Sequence, residues 1–385
     1  MELRRGWRDI LMLPGPTDIP EESYRAMGGR LINHRGDEFR EFHTQLIEKL
    51  KKVIGTKQDV FLLTCSATGG VEAAVSNTIE SGDKVLAFVG GQFGERMAAA
   101  ARYYSENTTI VEVPWNRAPT VEDVERGLEE NGDADVVLLV HNETSTGTLT
   151  PNIDEIAGVC RRAGALLIVD AVTSLGGVPF SFDDAGIDVL VAGTQKCLAG
   201  PPGLAIVVVS QRAWEKVESL KRRPAYFDLV LHREFMSRRE TPYTPAITLF
   251  YGLDASLDKI FEIGLDEWID RHRRGAQAFY RSIGELGLEI YPQPRFRSPT
   301  LIAIHLPKHI QDTDVAKIMA EKYGVHVGVG VSKEKGRMIR VGSMGQVTAE
   351  RVKATLKALC GALNEYGMRL DYESVEGIVE ESFSR

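Results

Sequence analysis

The stretch from about residue 58 to 194 alternates continuous apolar runs with helix-like segments, and nothing else in the chain limits the fold as strongly. "DVFLLTC" (59–65), "DKVLAFV" (83–89), "TTIVEVP" (108–114), "ADVVLLVH" (134–141), "ALLIVDA" (165–171) and "DVLVAGT" (188–194) read as strands. Helices are predicted over 70–80 and 93–104, and helix-like segments precede the last two runs. Runs that are apolar throughout, rather than at alternate positions, suit strands covered on both faces. The expected fold class is therefore α/β, a mostly parallel central sheet covered by helices, with ligands held beyond the carboxyl ends of the strands.

After about residue 265 the texture changes. A charged helical stretch, "LDEWIDRHRRGAQAFYRSIGELG", is followed by short strands "TLIAIHLP" (300–307) and "RMIRVGS" (337–343) and a last helix over 349–366. This predicts an N-terminal arm (1–20), a large domain (21–265) and a smaller C-terminal α+β domain (266–385), which 385 residues can supply.

Composition removes several function classes. There are 46 Lys plus Arg against 54 Asp plus Glu, a net charge of −8, without a block of like charge, so neither nucleic acid nor an anionic membrane is the expected partner. No stretch reaches ~18 uninterrupted apolar residues, and the N-terminus lacks the apolar core of a leader. Cys65, Cys160, Cys197 and Cys360 lie far apart without metal-ligand spacing, which argues for free thiols in a reducing, cytoplasmic setting and against a metal.

Polar groups collect where the strands end. Ser66-Ala67-Thr68-Gly69-Gly70 leads into a helix whose N-terminus suits a phosphate, or is simply capped by Thr68. Phe93 follows two glycines and is either core or a platform for a flat ligand. Asp170 ends an apolar run, where an ionised carboxylate needs a partner or caps the next turn. Lys196 ends another, as a snorkelling surface lysine or as an amine made nucleophilic by a depressed pKa. A phosphate cradle, an aromatic platform, an acid and a lysine are together what pyridoxal 5'-phosphate requires.

At these residues the chain resembles the class V pyridoxal-phosphate aminotransferases of the alanine–glyoxylate and serine–pyruvate branch. "LPGPTDIP", "NETSTG", "VDAVTSLGG", "GTQKCLAGPPG" and "RVGSMG" occur in that family's order and spacing. The resemblance implies a type I pyridoxal-phosphate transferase fold whose large domain binds the cofactor, and a homodimer with shared active sites. It implies a two-half-reaction transfer of an amino group from alanine, serine or aspartate to glyoxylate, pyruvate or 2-oxoglutarate.

Residue by residue, it puts Lys196 at the Schiff-base position, Asp170 against the ring nitrogen, and Ser66, Ala67 and Thr68 at the phosphate. Phe93 and Val172 fall on opposite ring faces, Thr144 at the ring hydroxyl side, and Gln195 at the phosphate. Thr244 and Tyr243 reach that phosphate from the other subunit. Arg340 takes the substrate α-carboxylate, with Gly15 beside it; on "IRV" alone Arg340 would be a surface strand arginine. His34 and Arg35 either are structural or, for Arg35, receive a distal carboxylate. Gln195 stands where sulfur-transferring relatives carry histidine, and Cys197 reads as a small buried residue rather than a nucleophile. Two alternatives remain: another reaction of the same cofactor, such as a lyase or 2-aminoethylphosphonate transamination, and a catalytically silent binding subunit.

Overall fold

The computed structural model describes residues 9–132 and 134–384. Strands β1 (Ile10–Met12), β2 (Asp59–Leu63), β3 (Val85–Val89), β4 (Thr108–Glu112), β5 (Val136–Val140), β6 (Leu166–Asp170), β7 (Val189–Gly193), β8 (Ala205–Val209), β9 (Glu289–Ile290), β10 (Leu301–His305), β11 (Val325–Val329) and β12 (Met338–Gly342) form two main sheets. The larger has the order β2-β8-β7-β6-β5-β3-β4. All its pairings are parallel except those of β8, which runs antiparallel to β2 and β7.

Two covered faces follow from the strand period of two residues. Val136 and Leu138 enter one core while Val137 and Leu139 enter the other, and β6, β7 and β8 repeat the alternation. Helices α1 (Ala67–Ser76) and α2 (Gln92–Tyr104) cover one face through Val71, Ala74, Met97 and Ala101. Helices Asp37–Ile54, Ile153–Arg162 and Ile247–Ile263 cover the other. From β3 the chain moves outward to β4, then returns to the other side of β3 with β5, so the order reverses between them. A reversal of this kind opens a crevice at the strand ends.

The second sheet, β1-β11-β12-β10-β9, packs on helices Leu265–Glu285, Asp312–Tyr323 and Ala349–Asn364 around its own core. The N-terminal arm is not a free extension where it is described, because β1 pairs in parallel with β11 and Met12 is buried in this core. Residues 1–8 of the arm lie outside the described residues. The acidic C-terminal end folds as a helix, Glu373–Phe383, with Val375 and Val379 buried and Glu380 paired with Lys353.

Candidate active site

The carboxyl ends of β2, β3, β5, β6 and β7 bring the marked residues to one edge of the large sheet. Ser66 stands at the N-cap of α1 but makes no side-chain cap, and Thr68 lies inside the helix, so the reading of Thr68 as a cap fails. The N–H groups of Ala67 and Thr68 donate to nothing among the described residues, leaving the positive end of α1 open.

Beside it is a cavity of about 70 Å³ lined by Ala67, Thr68, Phe93, Asp170 and Val172, with Glu72 and Arg96 also in its wall. Phe93 is half-buried rather than core, and the Arg96 guanidinium lies 4.9 Å from its ring centre. A larger groove of about 710 Å³, lined by Leu31, Phe42 and Tyr251 among others, holds neither Lys196 nor Asp170. Of the two, only the smaller reaches Asp170.

Asp170 is buried at the last position of β6, where the Val172 N–H donates to its Oδ1 at 2.9 Å. Desolvation pushes its carboxyl up to about 6. The sign of the linkage follows. A carboxyl raised from 3.8 to about 6 adds stability below 3.8 that is lost as pH rises through 6, on the order of 3 kcal/mol. Cofactor-free Asp170→Asn, whose amide oxygen can still accept from Val172, is therefore expected to withstand more urea than the wild type at pH 7. That margin should shrink toward pH 4; an equal margin at both pH values would contradict the assignment.

Lys196 follows β7 at only 9% exposure, and its Nζ donates to the Pro14 carbonyl at 2.5 Å. It is thus a buried amine rather than a snorkelling one. Burial holds it down to about 8 against the opposing charge of Asp170, while Arg340 pushes the same way as burial. Gly15, at φ +101°, lies against it, since a Cβ there would sit 2.2 Å from Nζ. The Gln195 carboxamide lies near Gly193 and Ala67, with a buried Oε1 that has no partner among the described residues. The Cys197 thiol is fully buried and pushed up to about 12 by desolvation, as befits a packing residue.

Arg340 projects from β12 with its Nε donating to the Val329 carbonyl and its Nη1 to the Thr144 carbonyl, both at 2.9 Å. Its Nη2 has no partner among the described residues. Desolvation lowers it to about 10, opposed by Glu143 and Asp312, so it stays charged near neutral pH. The Thr144 hydroxyl is buried 3.0 Å from that of Thr173.

Tyr243 and Thr244 are not brought to this cluster within the chain. They are exposed and line a separate hollow; Tyr243 stacks on Tyr226 at 5.1 Å, and the Thr244 Oγ1 is 3.5 Å from His34 Nε2. The reading of Arg35 as a carboxylate receptor meets a guanidinium already spent on Glu240 and the carbonyls of Thr241 and Pro242. Sequence reasoning passed over Glu143, a buried carboxylate next to Thr144; its signal was an acidic residue three positions beyond a strand as apolar as "VVLLV".

Residues 20–354 match the family described as aminotransferase class-V, and the chain belongs to that family. It is a transaminase. An uncharacterized aminotransferase of Methanocaldococcus jannaschii is 38% identical over 371 residues, 96% of either chain. The L-aspartate–glyoxylate aminotransferase of Paracoccus denitrificans is 35% identical, over 88% of this chain and 87% of its own. The crystal structure of pyridoxamine–pyruvate aminotransferase from Mesorhizobium loti superposes with a TM-score of 0.93 at 29% identity, over 97% of each chain.

The family and these neighbours imply pyridoxal phosphate, and the site fits it. The open end of α1 and the unpartnered Gln195 Oε1 offer polar contacts, and Asp170 faces a cavity between Phe93 and Val172. Among the described residues no helix is long and apolar enough to cross a membrane, and no side-chain group would hold a metal.

Proposed function

We propose that this transaminase moves the amino group of a small amino acid, alanine, serine or aspartate, to glyoxylate, pyruvate or 2-oxoglutarate in two half-reactions. The observation that carries the reading is the buried Lys196 amine, within the electrostatic reach of both Asp170 and Arg340. Pyridoxal phosphate supplies the carbonyl that takes up the amino group and the ring that draws electrons from the substrate Cα.

The chain's own residues do the rest. Ser66, Ala67, Thr68 and Gln195 hold the phosphate, Phe93 and Val172 clamp the ring faces, and Thr144 lies toward the ring hydroxyl. Asp170 keeps the ring nitrogen protonated, which in turn keeps its own carboxylate ionised. Lys196, its amine lowered to about 8 by burial, would anchor the cofactor and serve as the base that takes the proton from the substrate Cα. Arg340 takes the α-carboxylate, with Gly15 leaving room beside the lysine. The exposed Tyr243 and Thr244 are assigned to the phosphate of a second copy, which makes the working unit a homodimer. A large domain over 21–265 carries the cofactor, and a small one over 266–385 supplies the arginine. Four cysteines without a disulfide suit the cytoplasm.

The test is a single turnover of the loaded enzyme with alanine, serine or aspartate and no acceptor. The expected result is one equivalent of the matching 2-oxo acid per site and no ammonia. Release of ammonia or carbon dioxide instead would replace transamination by elimination or decarboxylation.

A further inference from the structure

The two helices that flank the cavity differ at their N-termini. The first N–H groups of α1 are open, whereas those of α2 are all taken. Gln92 N–H donates to Ser145 Oγ at 2.9 Å, Phe93 N–H to Glu143 Oε1 at 3.3 Å and Gly94 N–H to Glu143 Oε2 at 3.0 Å. Ser145 adds its own N–H and hydroxyl to Oε1, at 3.0 and 2.5 Å. The carboxylate is 4% exposed and makes no ion pair among the described residues, so the helix end and these donors are what stabilise its charge. Its close approach depends on Gly91, where a Cβ would sit 2.4 Å from Glu143 Cγ and Cδ.

Glu143 thus grips the backbone of Phe93 itself. The next residue, Thr144, gives its carbonyl to Arg340. One short segment, 143–145, therefore holds both the backbone of the platform residue and the arginine. Its charge reaches further: it favours the protonated form of Arg340 and opposes ionisation of Asp170.

We propose that Glu143 is a positioning residue for transamination: it occupies the anion seat of α2, so that the cofactor phosphate goes to α1, and it fixes the Phe93 ring while supplying counter-charge behind Arg340. This rests on the functional reading above. It separates two effects that a purely structural residue would not. Loss of the grip loosens Phe93 and slows the chemistry, whereas loss of the negative charge leaves Arg340 a stronger anion site.

The experiment is a double-mutant cycle on Glu143→Gln and Phe93→Leu, read as the dissociation constant of pyridoxal phosphate from cofactor-free protein by equilibrium dialysis, with kcat and KM of the loaded enzymes. Each single substitution is expected to weaken cofactor binding roughly tenfold, an ordinary loss for a displaced contact, with the double variant little worse than either. Glu143→Gln should lower kcat while KM for the 2-oxo acid does not rise. Additive losses, or a KM that rises while kcat holds, would overturn the proposal.

Should Glu143→Gln not fold, Ser145→Ala, which removes one donor and keeps the charge, must show the same non-additivity with Phe93→Leu. Wild-type protein that fails to bind pyridoxal phosphate overturns the functional reading and this inference with it. Wild type that binds, with Glu143→Gln indistinguishable from it, overturns this inference alone.

Discussion

Lys196→Ala is expected to cut turnover by ~10²–10⁴ or more in a folded protein saturated with pyridoxal phosphate, the range a positioned acid–base group contributes. The size of the loss follows from what the side chain is asked to do. Its amine donates to the Pro14 carbonyl, feels the charges of Asp170 and Arg340, and has been lowered to about 8 by burial. Lys196→Arg should fail as badly, because a guanidinium stays protonated and cannot shuttle a proton. The same burial sets a pH signature. The uncharged amine is the nucleophile, so cofactor uptake by apo-protein should quicken as pH rises to about 8 and then level off, rather than climbing toward the ordinary lysine value of 10.5. Stopped-flow mixing across that range checks the curve, and undiminished turnover by loaded Lys196→Ala would end the assignment.

The second large effect belongs to Arg340. Replacement by alanine should raise KM for both the amino acid and the 2-oxo acid by ~100-fold, the scale of a buried charge-assisted pair, with a smaller change in kcat. Two of its contacts, to Val329 and Thr144, are spent on holding the fork, which leaves Nη2 for a ligand. Arg340→Lys should recover only part of the loss, because an ammonium cannot reproduce the planar fork whose contacts to Val329 and Thr144 aim the remaining nitrogen. The comparison is made with one amino acid and one oxo acid, since both present the same α-carboxylate. A rise in KM for only one of them would move Arg340 away from that group.

Much of this was legible because long apolar strands carry strong signals. β3 to β7 lie within about two residues of where their apolar runs place them, and the lysine and acid were marked by ending such runs. What escaped has physical reasons. β8 follows a Gly/Pro loop and returns antiparallel, and nothing in "AIVVV" encodes its direction. α1 begins at Ala67, ahead of the expected start, because packing against β7 and β8 outweighs the poor helix propensity of Gly69 and Gly70. β1 is three residues long and pairs with a strand more than three hundred positions away, so no local pattern marks it.

In the site, the residues on consecutive strand ends could be gathered from sequence because parallel strands bring their ends together. The commitment of Arg35 to Glu240 could not, since the partners lie 205 positions apart. Glu143 sits inside a quoted motif, yet its task depends on the start of α2, which comes from an earlier turn of the chain.

The pairing of Ile10 with Val325 also sets a timetable. At ~5–20 residues per second, a ribosome needs roughly 15–60 s between those two positions, and during that interval the large sheet, which does not contain β1, can form while β1 has no partner strand. The carbonyl of Pro14 that receives Lys196 is carried just beyond that strand, so the lysine pocket closes only when residues 325–327 have emerged. A nascent chain stalled short of residue 325 should therefore hold a formed sheet and an open pocket.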